Sequence, residues 1–290
     1  MKPAPFDYAR PASLDEAARL LAEAGGGASV IAGGQTLMPL LNLRMSQPFL
    51  LVDLGAIPEL RAVERHTGGI RVGAMAVQNE LLGHPLVRSD LPLLARALGH
   101  VGHHQTRSRG TIGGSIAFAE PAAECPAVAL ALDARVQLHS VRGMRQVAMA
   151  DFLHGPYATA CAFDEIVTAL VFPDPPAGER VEVFFEVARR PGDFALTGLA
   201  GELHLDGGTI VAARLAWFAM GHTALRAREA EAALVGAALD EIEPEAIAAL
   251  ALAGTAPFDD KAASAAYRET VARRMFARTL RETCAGRAMA

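Results

Sequence analysis

The sequence predicts an α+β fold in two parts: a mixed N-terminal two-thirds, and a C-terminal third made of a sheet plus helices. Three observations carry this expectation. Up to about residue 172, short β-type runs alternate with short helical stretches and glycine turns. Pro173-Asp174-Pro175-Pro176-Ala177-Gly178 then breaks the pattern as a linker. Beyond it, a hairpin signal leads into alanine-rich helical periodicity.

Each element has its own warrant. Residues 12–24 read as a helix, with Ser13 and Glu16 as a capping box and Leu14, Ala17, Leu20, Leu21 and Ala24 at helical spacing. Gly25-Gly26-Gly27 stops it. Ser29 to Ala32 is a short buried strand, Gly33-Gly34 a turn, and residues 35–41 begin a short helix whose first turn tolerates Pro39. Phe49 to Asp53 is a second strand. Leu60–Val63 and Ile70–Val72 are extended segments joined at Gly68-Gly69. Residues 91–98 are helical, and residues 107–115 form a glycine-bearing loop without helical period. Residues 126–132 make a short apolar helix led by Pro126. Residues 136–140 and 145–149 alternate about Arg142-Gly143-Met144 as a hairpin would, and Ile166 to Phe172 is a strand. After the linker, residues 202–205 and 209–218 flank Asp206-Gly207-Gly208. Helices follow at about 225–235 and 263–283, the latter with Tyr267, Val271, Met275 and Leu280 on a shared face.

Composition excludes several functional classes. With 290 residues, 51% hydrophobic and 20% charged, the chain is expected to fold around packed cores rather than stay disordered. A net charge of −5 with scattered arginines attracts neither nucleic acid nor an anionic membrane. The start leads into no apolar signal region, and no apolar run reaches the length of a membrane span, so a soluble cytoplasmic protein is expected. Cys125, Cys161 and Cys284 are odd in number, far apart and without a C-x-x-C, which argues against a disulfide framework or an iron–sulfur cluster held by this chain.

Two glycine turns dominate the chemistry: Ala32-Gly33-Gly34-Gln35-Thr36-Leu37 and Thr111-Ile112-Gly113-Gly114-Ser115. Glycine lets a backbone approach a phosphate and exposes consecutive N–H donors, and Thr36 and Ser115 add hydroxyls. Two such turns fit a shared diphosphate; by spacing alone they fit ordinary turns equally well. No G-x-G-x-x-G opens a helix after a strand, there is no P-loop, and Gly113-Gly114-Ser115-Ile116-Ala117 lacks the closing glycine of a nucleophile elbow. His100, His103 and His104 cluster without an acidic or thiol ligand in a fixed frame, so they read as loop histidines and no metal site is expected. Glu120 and Glu124 are solvated carboxylates or acceptors for ribose hydroxyls. Arg189-Arg190-Pro191-Gly192-Asp193-Phe194-Ala195 is an exposed turn with local salt bridges or a surface for a flat, anionic partner. No convincing nucleophile or acid–base pair stands out, so no catalytic residue is assigned.

In this order and spacing, the two turns, Arg109-Gly110, Pro121 with Glu124-Cys125-Pro126-Ala127, Arg190 to Ala195 and Tyr267-Arg268 resemble the FAD-binding medium subunit of the molybdenum hydroxylases, along nearly the full chain. That family includes carbon monoxide, nicotine and caffeine dehydrogenases and the flavin domain of xanthine dehydrogenase. The resemblance implies a two-subdomain FAD-binding domain of the PCMH type (residues 1–56 and 57–175) followed by an α+β C-terminal flavoprotein domain (residues 176–290). It implies FAD between the subdomains, with backbone N–H groups of both turns on its phosphates. The implied contacts are Val30, Ile31, Ala32, Gly33, Gly34, Gln35, Thr36 and Leu37 from the first turn, and Thr111, Ile112, Gly113, Gly114 and Ser115 from the second. Val101 and Val167 fall where the family lines the cofactor with apolar groups, and Glu124 where it has an aspartate that holds the ribose. Phe185 falls where xanthine dehydrogenases carry a lysine. The resemblance further implies a small subunit with two [2Fe–2S] clusters, a large subunit with a molybdenum–pterin cofactor, a dimer of heterotrimers, and electron transfer through FAD to an external acceptor. A self-contained flavin oxidase and a flavin-free assembly subunit are the competing readings.

Overall fold

Residues 2–288 are described by the computed structural model of this chain, in which three larger sheets follow one another in sequence and strands Leu153–Gly155 and Ala158–Thr159 pair as a small fourth. The first has strands Asp7–Ala9, Leu50–Asp53 and Ala28–Ile31 in that spatial order, all parallel. Parallel strands need crossovers, and helices Leu14–Glu23 and Leu37–Asn42 supply them. Ser13 caps the first helix by accepting the Glu16 N–H at 3.2 Å. Glu16 returns to the Ala12 N–H at 2.9 Å, one residue earlier than a capping box would use. Ala17, Ala18 and Leu21 pack against Val52, Leu54 and Ile57 below the sheet.

The second sheet is antiparallel, in the order Val63–His66, Gly69–Gly73, Ile166–Pro173, Arg135–Ser140 and Gly143–Ala148. Helices Pro92–Leu98, Ile112–Phe118 and Glu124–Ala131 lie in its core. Every residue of Glu124–Ala131 is buried, because the helix is held between this core and the third sheet. Strands Glu179–Val187, Thr197–Asp206, Thr209–Phe218 and Leu225–Arg226 form that third, antiparallel sheet. Its middle is buried on both faces. Phe184, Ala200, Ala216 and Phe218 join the core of the second sheet, while Phe185, Leu199, Leu203, Leu215 and Trp217 face helices Arg228–Leu234, Pro244–Ala251 and Ala265–Ala288. Arginines tie this sheet to the rest: Arg180 donates to the Asp90 and Ser89 carbonyls (2.7 and 2.9 Å) and Arg226 to Asp133 (2.6 Å).

The structure departs from the sequence reading at several points. Pro58–Arg61 is a 3-10 turn, so the extended segment starts only at Val63. The 135–148 hairpin turns at Val141-Arg142, and Gly143, at φ 99°, opens the returning strand. Ile112–Phe118 is helical where a loop was expected; its period was hidden by two glycines, of which Gly113 serves a close contact with Ala74. The last helix turns its buried face through Arg268, Ala272, Phe276 and Leu280, leaving Tyr267 exposed. Apolar spacing could not foresee this, because buried Arg268 holds a place on that face through its own hydrogen bonds. Phe185 points away from the core of the second sheet, edge-on to Trp217 at 5.8 Å.

Candidate functional site

The two glycine turns dock directly on each other. A Cβ on Gly33 would stand 2.0 Å from the Arg109 carbonyl oxygen, so only glycine permits the approach. A cavity of 560 Å³ opens beside this contact, within the range of about 300–1,000 Å³ common for cofactor sites. Of the residues expected at the site, Val30, Ala32, Gly33, Gly34, Gln35, Thr36, Leu37, Val101, Thr111, Gly113, Gly114, Ser115, Glu124 and Val167 line it. Ile31 and Ile112 do not; Ile112 is fully buried in the core.

The first turn is a nest of donors. Among the described residues, no acceptor takes the N–H groups of Gly33, Gly34, Gln35, Thr36 or Leu37. Gly34 at φ +71° bends the chain so that consecutive amides converge, the geometry of an anion-binding concavity. The turn holds its shape through the Gln35 side chain, which donates to the Gly33 carbonyl at 3.3 Å, and through the Met38 N–H, which donates to the Gly34 carbonyl at 3.0 Å.

The second turn, expected to offer main-chain N–H groups as the first does, is built differently: most of its donors are taken within the fold. Ile112 and Gly113 donate to the carbonyls of Ala76 (3.1 Å) and Ala74 (2.9 Å), Gly114 to the Thr111 hydroxyl (3.1 Å) and Ser115 to the Thr111 carbonyl (3.2 Å). Thr111 is thus the N-cap of the helix, and its own N–H is the one main-chain donor from 111 to 115 without an acceptor among the described residues. Gly113 is glycine for packing: its Cβ would lie 2.4 Å from the Ala74 Cβ. Gly114 is different, since its Cβ would meet only the Thr111 hydroxyl at 3.0 Å and Ala32 at 4.0 Å, on the cavity side.

Residues that sequence reasoning left aside complete the walls. Gln78 supports Gly110, and His103 packs on Gly192, where a Cβ would stand 2.5 Å from the ring. Gly192, Asp193 and Phe194 bring the C-terminal region to the cavity, with Phe194 68% exposed. Arg268, buried beneath them, donates to the Leu196 carbonyl at 2.6 Å and to Asp260 at 2.7 Å, which anchors this segment. His100, His103 and His104 do not assemble a metal centre; no group of three or more metal-ligating side chains occurs among the described residues. Glu124 is buried at the cavity edge, and burial pushes its carboxyl up to about 7 although Arg107 pulls the other way. Cys125 beside it is pushed up to about 12 by burial, which makes it an unreactive thiol. No helix among the described residues is long and apolar enough to cross a membrane.

Comparison with known proteins agrees with this architecture. Residues 4–175 match the model of the FAD binding domain in molybdopterin dehydrogenase, and residues 182–283 that of the CO dehydrogenase flavoprotein C-terminal domain. The 6-hydroxypseudooxynicotine dehydrogenase complex subunit alpha of Paenarthrobacter nicotinovorans is 40% identical over 97% of this chain and 95% of its own. A chain of carbon monoxide dehydrogenase from Hydrogenophaga pseudoflava superposes with a TM-score of 0.94 at 37% identity, covering 98% of this chain and 99% of that one. A chain of quinoline 2-oxidoreductase from Pseudomonas putida 86 does so with a TM-score of 0.92 at 37% identity, covering 99% of each.

Proposed function

This chain belongs to the FAD-binding medium subunits of the molybdenum-dependent dehydrogenases, and from that premise we propose that it holds FAD in the cavity between its two glycine turns and relays electrons through it. The observation that carries the reading is the run of unpartnered N–H groups from Gly33 to Leu37 at the rim of a cavity large enough for a cofactor. A diphosphate satisfies those donors, aided by the Thr111 N–H and the Thr36 hydroxyl. Gly114 leaves room for the phosphates, Val101 and Val167 supply apolar walls, and Glu124 offers a carboxyl to a ribose or ring N–H.

FAD when bound supplies the redox chemistry, accepting and releasing electrons singly or in pairs. The protein's part is to hold it and to exclude side reactions, and the apolar lining suits that part. The electrons come from the [2Fe–2S] clusters of a small partner subunit, fed by a large subunit with a molybdenum–pterin cofactor, in a dimer of heterotrimers. They leave to an external acceptor. The three free cysteines fit a reducing, cytoplasmic setting.

Binding titrations test the cradle. FAD should bind the chain at least ~100-fold more tightly than riboflavin, which lacks the diphosphate, a difference of about 2.7 kcal/mol. Equal affinities would mean that the turns do not grip phosphate. Co-purification with iron- and molybdenum-containing partners tests the assembly.

A further inference from the structure

A buried carboxamide stands in the cavity wall with a hydrogen-bonding atom left over. Gln78 opens the short helix Gln78–Gly83, and only 4% of its surface is exposed. Its backbone is stitched to the base of the second turn: its N–H donates to the Gly110 carbonyl at 2.8 Å, and Val77 pairs with Thr111. Gln78 lines the cavity, yet its Oε1 atom is buried without a hydrogen-bond partner. The buried Cys125 thiol is within hydrogen-bonding reach of the side chain, but a thiol is a weak partner and leaves Oε1 unserved. Gly110 makes room for the amide. A Cβ there would stand 2.5 Å from Oε1 and 3.2 Å from Cδ of Gln78, and Gly110 has no left-handed φ that would call for a glycine. An unserved buried acceptor costs free energy, and an apolar side chain of similar length would avoid that cost. Its presence in a cavity wall is explained by a donor that arrives with the ligand.

We propose that Gln78 is a cofactor-binding residue whose Oε1 atom accepts a hydrogen bond from a hydroxyl of FAD. The inference rests on the reading of the cavity as a flavin site. A half-turn about the last side-chain bond, a torsion with only a broad preference, brings Oε1 from Gly110 to the cavity. The same turn carries the amide N–H groups toward the Thr106 carbonyl, which lies 3.0 Å from the Cβ position of Gly110 on the side where Oε1 now packs. Both ends of the amide are then served. The chemistry of the partner follows from its place. Gln78 is fastened beside Thr111, whose free N–H is turned to the diphosphate in the reading above. A diphosphate has no proton to donate, but in FAD it is flanked on both sides by hydroxylated chains, the ribityl and the ribose. A site built around a hydrogen bond to a ligand hydroxyl discriminates strongly against ligands that lack it.

The test pairs binding with stability in Gln78→Met, which keeps the length of the side chain and removes its polar atoms. FAD affinity, measured by titration, should fall about tenfold. The melting midpoint of the flavin-free chain should hold or rise by up to about 4 °C, because an unserved acceptor has gone. Gln78→Leu, of a different shape, should lose affinity to the same extent. Titrations with fragments locate the donor: the loss should persist with riboflavin if the ribityl chain supplies it, and with ADP if the ribose does. Unchanged FAD affinity in Gln78→Met overturns the assignment. So does a loss of affinity joined to a lower midpoint without flavin, which marks a merely structural side chain. A loss that persists with lumiflavin, which has the ring and no hydroxyl, overturns it as well. Failure of the unaltered chain to bind FAD would instead sink the reading of the cavity, so the two failures are distinguishable.

Discussion

Gly33-Gly34 and Gly113-Gly114 look like copies in sequence, each a glycine pair beside a hydroxyl residue, yet the fold uses them oppositely. The first presents amide hydrogens that have no acceptor among the described residues. The second has nearly all of its amides bonded, two of them to the 74–76 segment, and contributes proximity instead. The contrast teaches that a glycine-rich turn is a binding element only if its donors are left over after folding. It also splits the glycines by role: Gly33 and Gly113 are small because backbone or side chain lies against them, whereas a side chain on Gly114 would face the cavity.

The largest expected effect tests the packing role. Gly113→Ala places a Cβ 2.4 Å from Ala74 and should cost about 3 kcal/mol, read by urea unfolding without flavin. A loss below about 1 kcal/mol would erase the distinction between the two glycines. Gly114→Val comes next. It should cost no more than about 1 kcal/mol of stability but weaken FAD binding at least ~100-fold, measured by titration. A variant that unfolds as Gly113→Ala does would break the contrast from the other side.

Glu124 sharpens it further, since a carboxyl rather than an amide is what the second region turns to the cavity. Its ordinary value near 4.5 is raised to about 7 in the fold, so the stability tied to its neutral form is full below pH 4.5 and lost as pH rises through 7. Glu124→Gln should therefore stabilise the flavin-free chain by about 2 kcal/mol near pH 9 and leave it unchanged near pH 4. Unfolding curves at the two pH values decide this. Thr111→Ala should have the smallest effect, about 1 kcal/mol from the lost cap on Gly114, in thermal or urea unfolding.

Much of the fold was legible because it rests on local signals. Ser13 capped its helix as expected, Asp206-Gly207-Gly208 turned the hairpin, and the alternation of the sheets ran between recognisable turns. The Ile112–Phe118 helix was not legible, since Gly113, which Ala74 requires, and Gly114 beside it mask its period. Nor was the face of the last helix, where Arg268 is buried by its bonds to Leu196 and Asp260. Among site residues, the ordered motifs along the chain placed most of the cavity lining. His103 was read only as a loop histidine, because the Gly192 it packs on at the cavity lies far along the chain.

The sequence by itself determined the α+β architecture, the positions of the turns and the kinship of the chain, because backbone preference and hydrophobic period are properties of neighbouring residues. Only the tertiary structure decided which amides remain free, which glycines guard a contact and which carboxyls lose their water. Those depend on segments distant along the chain meeting in space, and a hydrogen bond or a desolvated charge exists only once they have met.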